Sequence, residues 1–150
     1  MIERTLSIVK PDAVAANAIG AIIEVCEKAG LRLVATKMVR LTKTQAEGFY
    51  AVHSDKPFFA SLTDFMSEGP VVVSVLEGEG AIQRYRDLLG PTDPVGAPEG
   101  TVRKRFGTSI ERNAAHGSDG PETAQREVAL FFRPEELVDW KRDAEGWFVE

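Results

Sequence analysis

An α+β fold, an antiparallel sheet packed by helices, is what this 150-residue sequence predicts. Three observations lead there. Short apolar or alternating runs interleave with segments of helical periodicity in the order β-α-β-α-α-β-α-loop-α-β-α. No Gly-rich phosphate turn follows the first strand, as a doubly wound sheet would require. The composition, 43% hydrophobic and 27% charged, is that of an ordinary globular chain. One domain over residues 1–150 is expected, large enough to bury about 70% of its unfolded surface.

The elements follow in order. Arg4 to Val9 alternates polar and apolar and reads as a strand, ended by Lys10-Pro11-Asp12 because proline offers no ladder N–H. Ile19, Ile22, Ile23, Cys26 and Ala29 recur at helical spacing, with Gly30 as the stop. Leu31 to Leu41 reads as a long strand. Thr42 with Gln45, or Thr44 with Glu47, offers a capping box for a helix running to about His53. A second helix opens at Pro57, Gly69-Pro70 breaks it, and Val71 to Leu76 reads as a buried strand. Gly80 to Leu89 is helical, stopped by Gly90-Pro91. Residues 91–100, with Pro91, Pro94, Pro98, Gly96 and Gly100, form a long loop of the kind that is often functional. Asp119 and Glu122 around Pro121 suggest a capped helix start, Val128 to Phe132 a last strand, and Pro134 to Trp140 a last short helix. Reduced to its main elements the order is βαββαβ, a ferredoxin-like antiparallel sheet with helices on one face, additional helices and a long Gly/Pro loop.

Charge and cysteine content narrow the function classes. The net charge of −5 argues against non-specific nucleic-acid binding, although a short basic run, Arg103-Lys104-Arg105, is present. A single cysteine, Cys26, excludes an internal disulfide framework and a cysteine-cluster zinc site, and its apolar helix face favours inert packing. No apolar run is long enough to cross a membrane, and Met1 to Arg4 lacks a basic, apolar leader, so a cytoplasmic location is expected.

The chemistry concentrates around one histidine. In Asn113-Ala114-Ala115-His116-Gly117-Ser118-Asp119-Gly120, small neighbours leave room for a bulky substrate beside the ring. Imidazole is the side chain that ordinarily offers an unprotonated nitrogen near neutral pH. Glu127 can fold back to orient it, since an activated nucleophile needs a third group. The alternative is a loop histidine beside an ordinary helix cap. His53, before Ser54-Asp55, reads as a solvated surface residue. Lys10, Arg86 and Arg103 could bind phosphate, arginine through its planar fork and lysine as a point charge. Tyr50, Phe58 and Leu62 could be core packing or a platform on which a base stacks.

Taken together, these motifs resemble the nucleoside diphosphate kinase family over essentially the whole chain. The resemblance rests chiefly on Asn113 to Asp119. It is supported by Thr5 to Asp12, Lys56-Pro57-Phe58-Phe59, Gly69 to Val73, Arg86 to Thr92 and Gly100 to Arg103. It implies ping-pong transfer of a γ-phosphoryl group from a nucleoside triphosphate to a nucleoside diphosphate through a phosphohistidine at His116. Lys10, Tyr50, Arg86, Thr92, Arg103 and Asn113 match positions around the phosphates and sugar. Phe58 matches the base-stacking residue, with Leu62 and Ile110 nearby, and Ser118 and Glu127 match the groups holding the histidine. Mg²⁺ would come with the nucleotide phosphates and need no dedicated protein ligand, with Asp119 a possible outer-sphere partner. Gly120 departs from the more usual serine, and Asp119 could still cap the helix. Residues 91–103 resemble a trimer-contact loop, and the tail from Arg133 through Trp147 and Phe148 resembles hexameric members, so a hexamer is expected over a tetramer. The alternative is a catalytically silent nucleotide-binding or assembly module of the same fold.

Overall fold

A computed structural model of the chain describes residues 1–140. Four antiparallel strands, β1 (Ile2–Val9), β2 (Arg32–Val39), β3 (Val71–Glu79) and β4 (Ala115–Gly117), lie in the order β2-β3-β1-β4. The helices are α1 (Pro11–Ala15), α2 (Ile19–Lys28), α3 (Lys43–Phe49), α4 (Phe59–Ser67), α5 (Ala81–Leu89), α6 (Val102–Phe106) and α7 (Pro121–Phe131). The ferredoxin-like α+β class stands.

Strand alternation sorts the side chains onto two faces, and both are covered by helices, not one as the sequence suggested. Leu6, Ile8, Val71, Val73 and Val75 form one core with Phe49 of α3, Phe65 and Met66 of α4, and Phe132. Val9, Val72 and Leu76 form the other with Ile22 and Cys26 of α2 and with Tyr85 and Leu89 of α5. Burial pushes the Cys26 thiol up to about 12, with Glu27 adding to the effect, which makes it an inert core residue.

Several local expectations hold. Thr42 and Gln45 make the reciprocal capping box at the start of α3. Gly30 stops α2 with φ +86°, a conformation that costs glycine nothing.

Others are corrected. Val128 to Phe131 is the last part of α7, and the fourth strand is the short Ala115–Gly117 segment. A short apolar run does not distinguish strand from helix by itself, and here packing of Val128 and Phe131 on the first core decides for helix. The α7 N-cap is Gly120, with no side-chain cap bond, so Asp119 does not cap the helix. After the Gly/Pro loop a short helix, α6, carries Arg103. The final helix shrinks to a 3₁₀ turn at Pro134–Glu136, beyond which Val138 N–H and Trp140 Nε1–H donate to Val34 and Leu33 carbonyls at 2.9 and 3.0 Å. The expectation for Trp147 and Phe148 lies outside the described residues.

Candidate active site

The nucleophile candidate sits on an edge strand that the sheet holds from one side. In the β1–β4 register Ile8 pairs with His116, so His116 shares a face with Ile8 and meets Phe49 edge-on at 5.1 Å. The glycine that follows is dictated by the opposite face. A Cβ on Gly117 would lie 2.9 Å from the Tyr85 ring, and Tyr85 is fixed there by a 2.6 Å hydrogen bond with Ser7.

Glu127, one of the buried residues of α7, sets the state of the imidazole. Its Oε1 lies 2.9 Å from His116 Nε2 and accepts the Ser118 hydroxyl at 2.7 Å. Ser118 in turn accepts the Leu6 N–H at 3.1 Å. A carboxylate oxygen has no proton to give, so Nε2 carries the hydrogen and Nδ1 keeps its lone pair.

Three cations converge beside the ring. Lys10 is buried at the end of β1 and donates to Asn113 Oδ1 at 2.9 Å and the Glu111 carbonyl at 3.2 Å, leaving one ammonium N–H free. Burial, followed by the charge of Arg103, lowers its pKa to about 8. Arg103 donates to the Gly90 and Ala115 carbonyls at 2.8 and 2.9 Å, and burial pulls its pKa below the usual arginine range. Arg86 donates to the Gly117 carbonyl at 3.2 Å. No carboxylate lies in salt-bridge range of these three among the described residues. Two buried donors nearby, Arg103 Nε and the Tyr50 hydroxyl, have no hydrogen-bond partner there. Burial and the charge of Glu127 push the Tyr50 pKa upward, keeping it a neutral O–H donor. Concentrated like charge and unmet donors favour a polyanionic ligand. Of the basic run, Arg103 is turned inward, whereas Lys104 and Arg105 are exposed.

All of the expected site residues except Ser118 line one cavity of about 710 Å³; Ser118 stands behind Glu127. Phe58, Leu62 and Ile110 form its apolar end, with Phe58 and Ile110 about half exposed. Thr92, Asn113 and the exposed Asp119 lie along the wall, and Asn113 Nδ2 donates to the Thr92 carbonyl at 3.1 Å. The cavity also includes Phe49, Glu111, Thr123 and Arg126, which carried no motif signal. His53 is corrected: it is half-buried in the cavity wall, its ring 5.7 Å from that of Phe58. Its solvated reading came from the polar Ser54 and Asp55 that follow it, and His53 itself ends the 3₁₀ turn at Ala51–His53.

The family model for nucleoside diphosphate kinase matches residues 3–137. This chain belongs to the nucleoside diphosphate kinase family. A nucleoside diphosphate kinase from Bradyrhizobium diazoefficiens is 61% identical over 137 residues, covering 91% of this chain and 98% of the relative. Another from Nitratidesulfovibrio vulgaris is 57% identical over 138 residues, covering 92% and 99%. The Aquifex aeolicus nucleoside diphosphate kinase structure superposes with TM-score 0.91 at 47% identity, covering 92% of this chain and all of that one. A nucleoside diphosphate kinase from Halobacterium salinarum, solved in complex with CDP, gives 0.93 at 43% identity over 100% of both chains. Among the described residues no helix is long and apolar enough to span a membrane.

Proposed function

We propose that this nucleoside diphosphate kinase transfers phosphoryl groups by a ping-pong route through His116 Nδ1. The observation that carries the reading is the Glu127–His116 hydrogen bond. It commits the Nε2 proton and leaves Nδ1 as the nucleophile beside three unneutralised cations. In the first half-reaction the Nδ1 lone pair forms a bond to the γ-phosphorus. The bond from that phosphorus to the bridging oxygen breaks, and the diphosphate departs with the electron pair. Glu127 stabilises the cationic ring while it carries the phosphoryl group. In the second half a β-phosphate oxygen of the acceptor attacks the same phosphorus, and the P–N bond breaks.

Lys10, Arg86 and Arg103 counter charge on the phosphate oxygens, and Thr92, Asn113 and Tyr50 add neutral hydrogen bonds. Phe58 stacks on the base with Leu62 and Ile110 beside it. Stacking reads the π-face, so purines and pyrimidines are both accepted.

The required divalent ion is Mg²⁺. It would enter on the nucleotide phosphates, and Asp119, exposed in the cavity wall, is the residue that would hold it through water. When bound, it would neutralise part of the phosphate charge.

Residues 1–150 act as one catalytic unit, assembled as a hexamer in the cytoplasm. The tail along β2 is consistent with the longer-tailed hexameric pattern. Sedimentation at six chain masses is the expected result, and four would overturn the hexamer.

The central test uses ATP labelled in its γ-phosphate. It should leave acid-labile, base-stable phosphate on His116, and GDP or CDP should discharge it. His116→Ala should lose both labelling and exchange. Full labelling with normal turnover in that variant would sink the assignment.

A further inference from the structure

The Lys-Pro-Asp segment after β1 does more than supply Lys10. Ala114, two residues before His116, has φ +76°, a conformation that L residues rarely adopt. The Ala115 N–H closes a three-residue turn over it onto the Asn113 carbonyl at 2.9 Å, the pattern of a strained γ-turn. Both backbone polar groups of Ala114 are then gripped from the other strand's end. The Lys10 N–H donates to its carbonyl at 2.9 Å, and its own N–H donates to Asp12 Oδ2 at 3.0 Å. Pro11, between the two gripping residues, fixes φ and brings no competing donor.

We propose that Asp12 is a positioning residue for phosphoryl transfer: its carboxylate holds the strained Ala114 turn in the conformation that brings Asn113 to Lys10 and His116 to the cavity. The turn is where the backbone passes from the Asn113 side chain, bonded to Lys10 Nζ and the Thr92 carbonyl, into β4. Without an acceptor for the Ala114 N–H the strained turn would relax, and Asn113 and His116 would move apart. Asp12 has a second effect. With Glu111 it supports the charge of Lys10 against burial and Arg103, and its Oδ1 is buried with no hydrogen-bond partner among the described residues.

The inference rests on His116 being the phosphorylated group, and the test separates the two. Single-turnover phosphorylation by ATP is measured on the wild type, Asp12→Asn, Asp12→Ala and the double variant Asp12→Ala with Ala114→Gly, together with the pH profile of kcat/KM. Asp12→Ala should phosphorylate about 10- to 100-fold more slowly, the scale of a charge-assisted hydrogen bond. Glycine adopts positive φ without strain, so the double variant should recover most of that loss. The amide oxygen of Asp12→Asn can still accept from Ala114, so at pH 6, below the limb, it should phosphorylate faster than Asp12→Ala. Its alkaline limb should fall at lower pH, because Lys10 loses a neighbouring negative charge.

A folded Asp12→Ala with the wild-type rate overturns the proposal, as does a slow one that glycine does not rescue. If Asp12→Ala does not fold, the double variant decides: active, it supports the proposal; inactive or unfolded, it overturns it. A wild type that takes no phosphate at His116 sinks the phosphotransfer reading instead.

Discussion

Glu127 Oε1 stands 2.9 Å from His116 Nε2 and takes the Ser118 hydroxyl on the same oxygen. One buried atom thus fixes the tautomer of the ring and ties it to β1 through the Leu6 N–H that Ser118 accepts. Glu127→Gln keeps the shape and removes the charge proposed to stabilise the phosphorylated ring. The rate of phosphoenzyme formation should fall about 10- to 100-fold, the scale of losing one charge-assisted hydrogen bond. Rapid-quench measurement of phosphohistidine checks this, and an unchanged rate would remove Glu127 from the mechanism.

Lys10 is the group expected to give the site its pH dependence. Its pKa is lowered to about 8, chiefly by burial and then by Arg103. As the proposed phosphate ligand Lys10 acts in its protonated form, so activity should be present below that value and be lost as pH rises through it. The kcat/KM profile should show an alkaline limb near 8. Lys10→Arg, a cation throughout this range, should be slower at pH 7 but should lack the limb. Persistence of the same limb in Lys10→Arg would assign it to another group.

Phe58 is proposed to stack on the base. Removing a stacking face costs about 1–3 kcal/mol per base, or roughly 5- to 150-fold in affinity. Phe58→Ala should weaken ADP, GDP and CDP by similar factors, measured by calorimetry on the His116→Ala background to prevent turnover. Loss confined to one base would show edge recognition instead.

Gly117 leaves no space for a side chain. Gly117→Ala would press a methyl into Tyr85 and Leu89. Overpacking of this kind costs about 1–3 kcal/mol, which lowers the melting temperature of a chain this size by roughly 2–12 °C. Thermal unfolding measures the shift, and an unchanged midpoint would show that α5 yields freely.

Much of the site was legible in the sequence because its residues lie in short local motifs. Lys10, Arg86, Arg103, Asn113 and His116 came from four separate stretches, and the fold brought them together. The misses have physical causes. The fourth strand is only three residues of Ala, His and Gly, types with little strand preference, and it exists because β1 offers its edge. The apolar Val128 to Phe131 looked like a strand because local pattern does not record which core it faces. Asp12 carried no signal of its own, since its partner is a backbone N–H distant in the chain. His53 lines the cavity from the end of a 3₁₀ turn after α3, an element that carried no sequence signal.

The contact between Gly117 and Tyr85 has a mechanical meaning. Tyr85 presses its ring against the residue after the histidine, and its neighbour Arg86 holds that residue's carbonyl. Two consecutive side chains of α5 therefore grip one peptide unit of β4 from beneath. Helix and edge strand thus share a contact one residue from His116, so a displacement of α5 would be felt next to that ring.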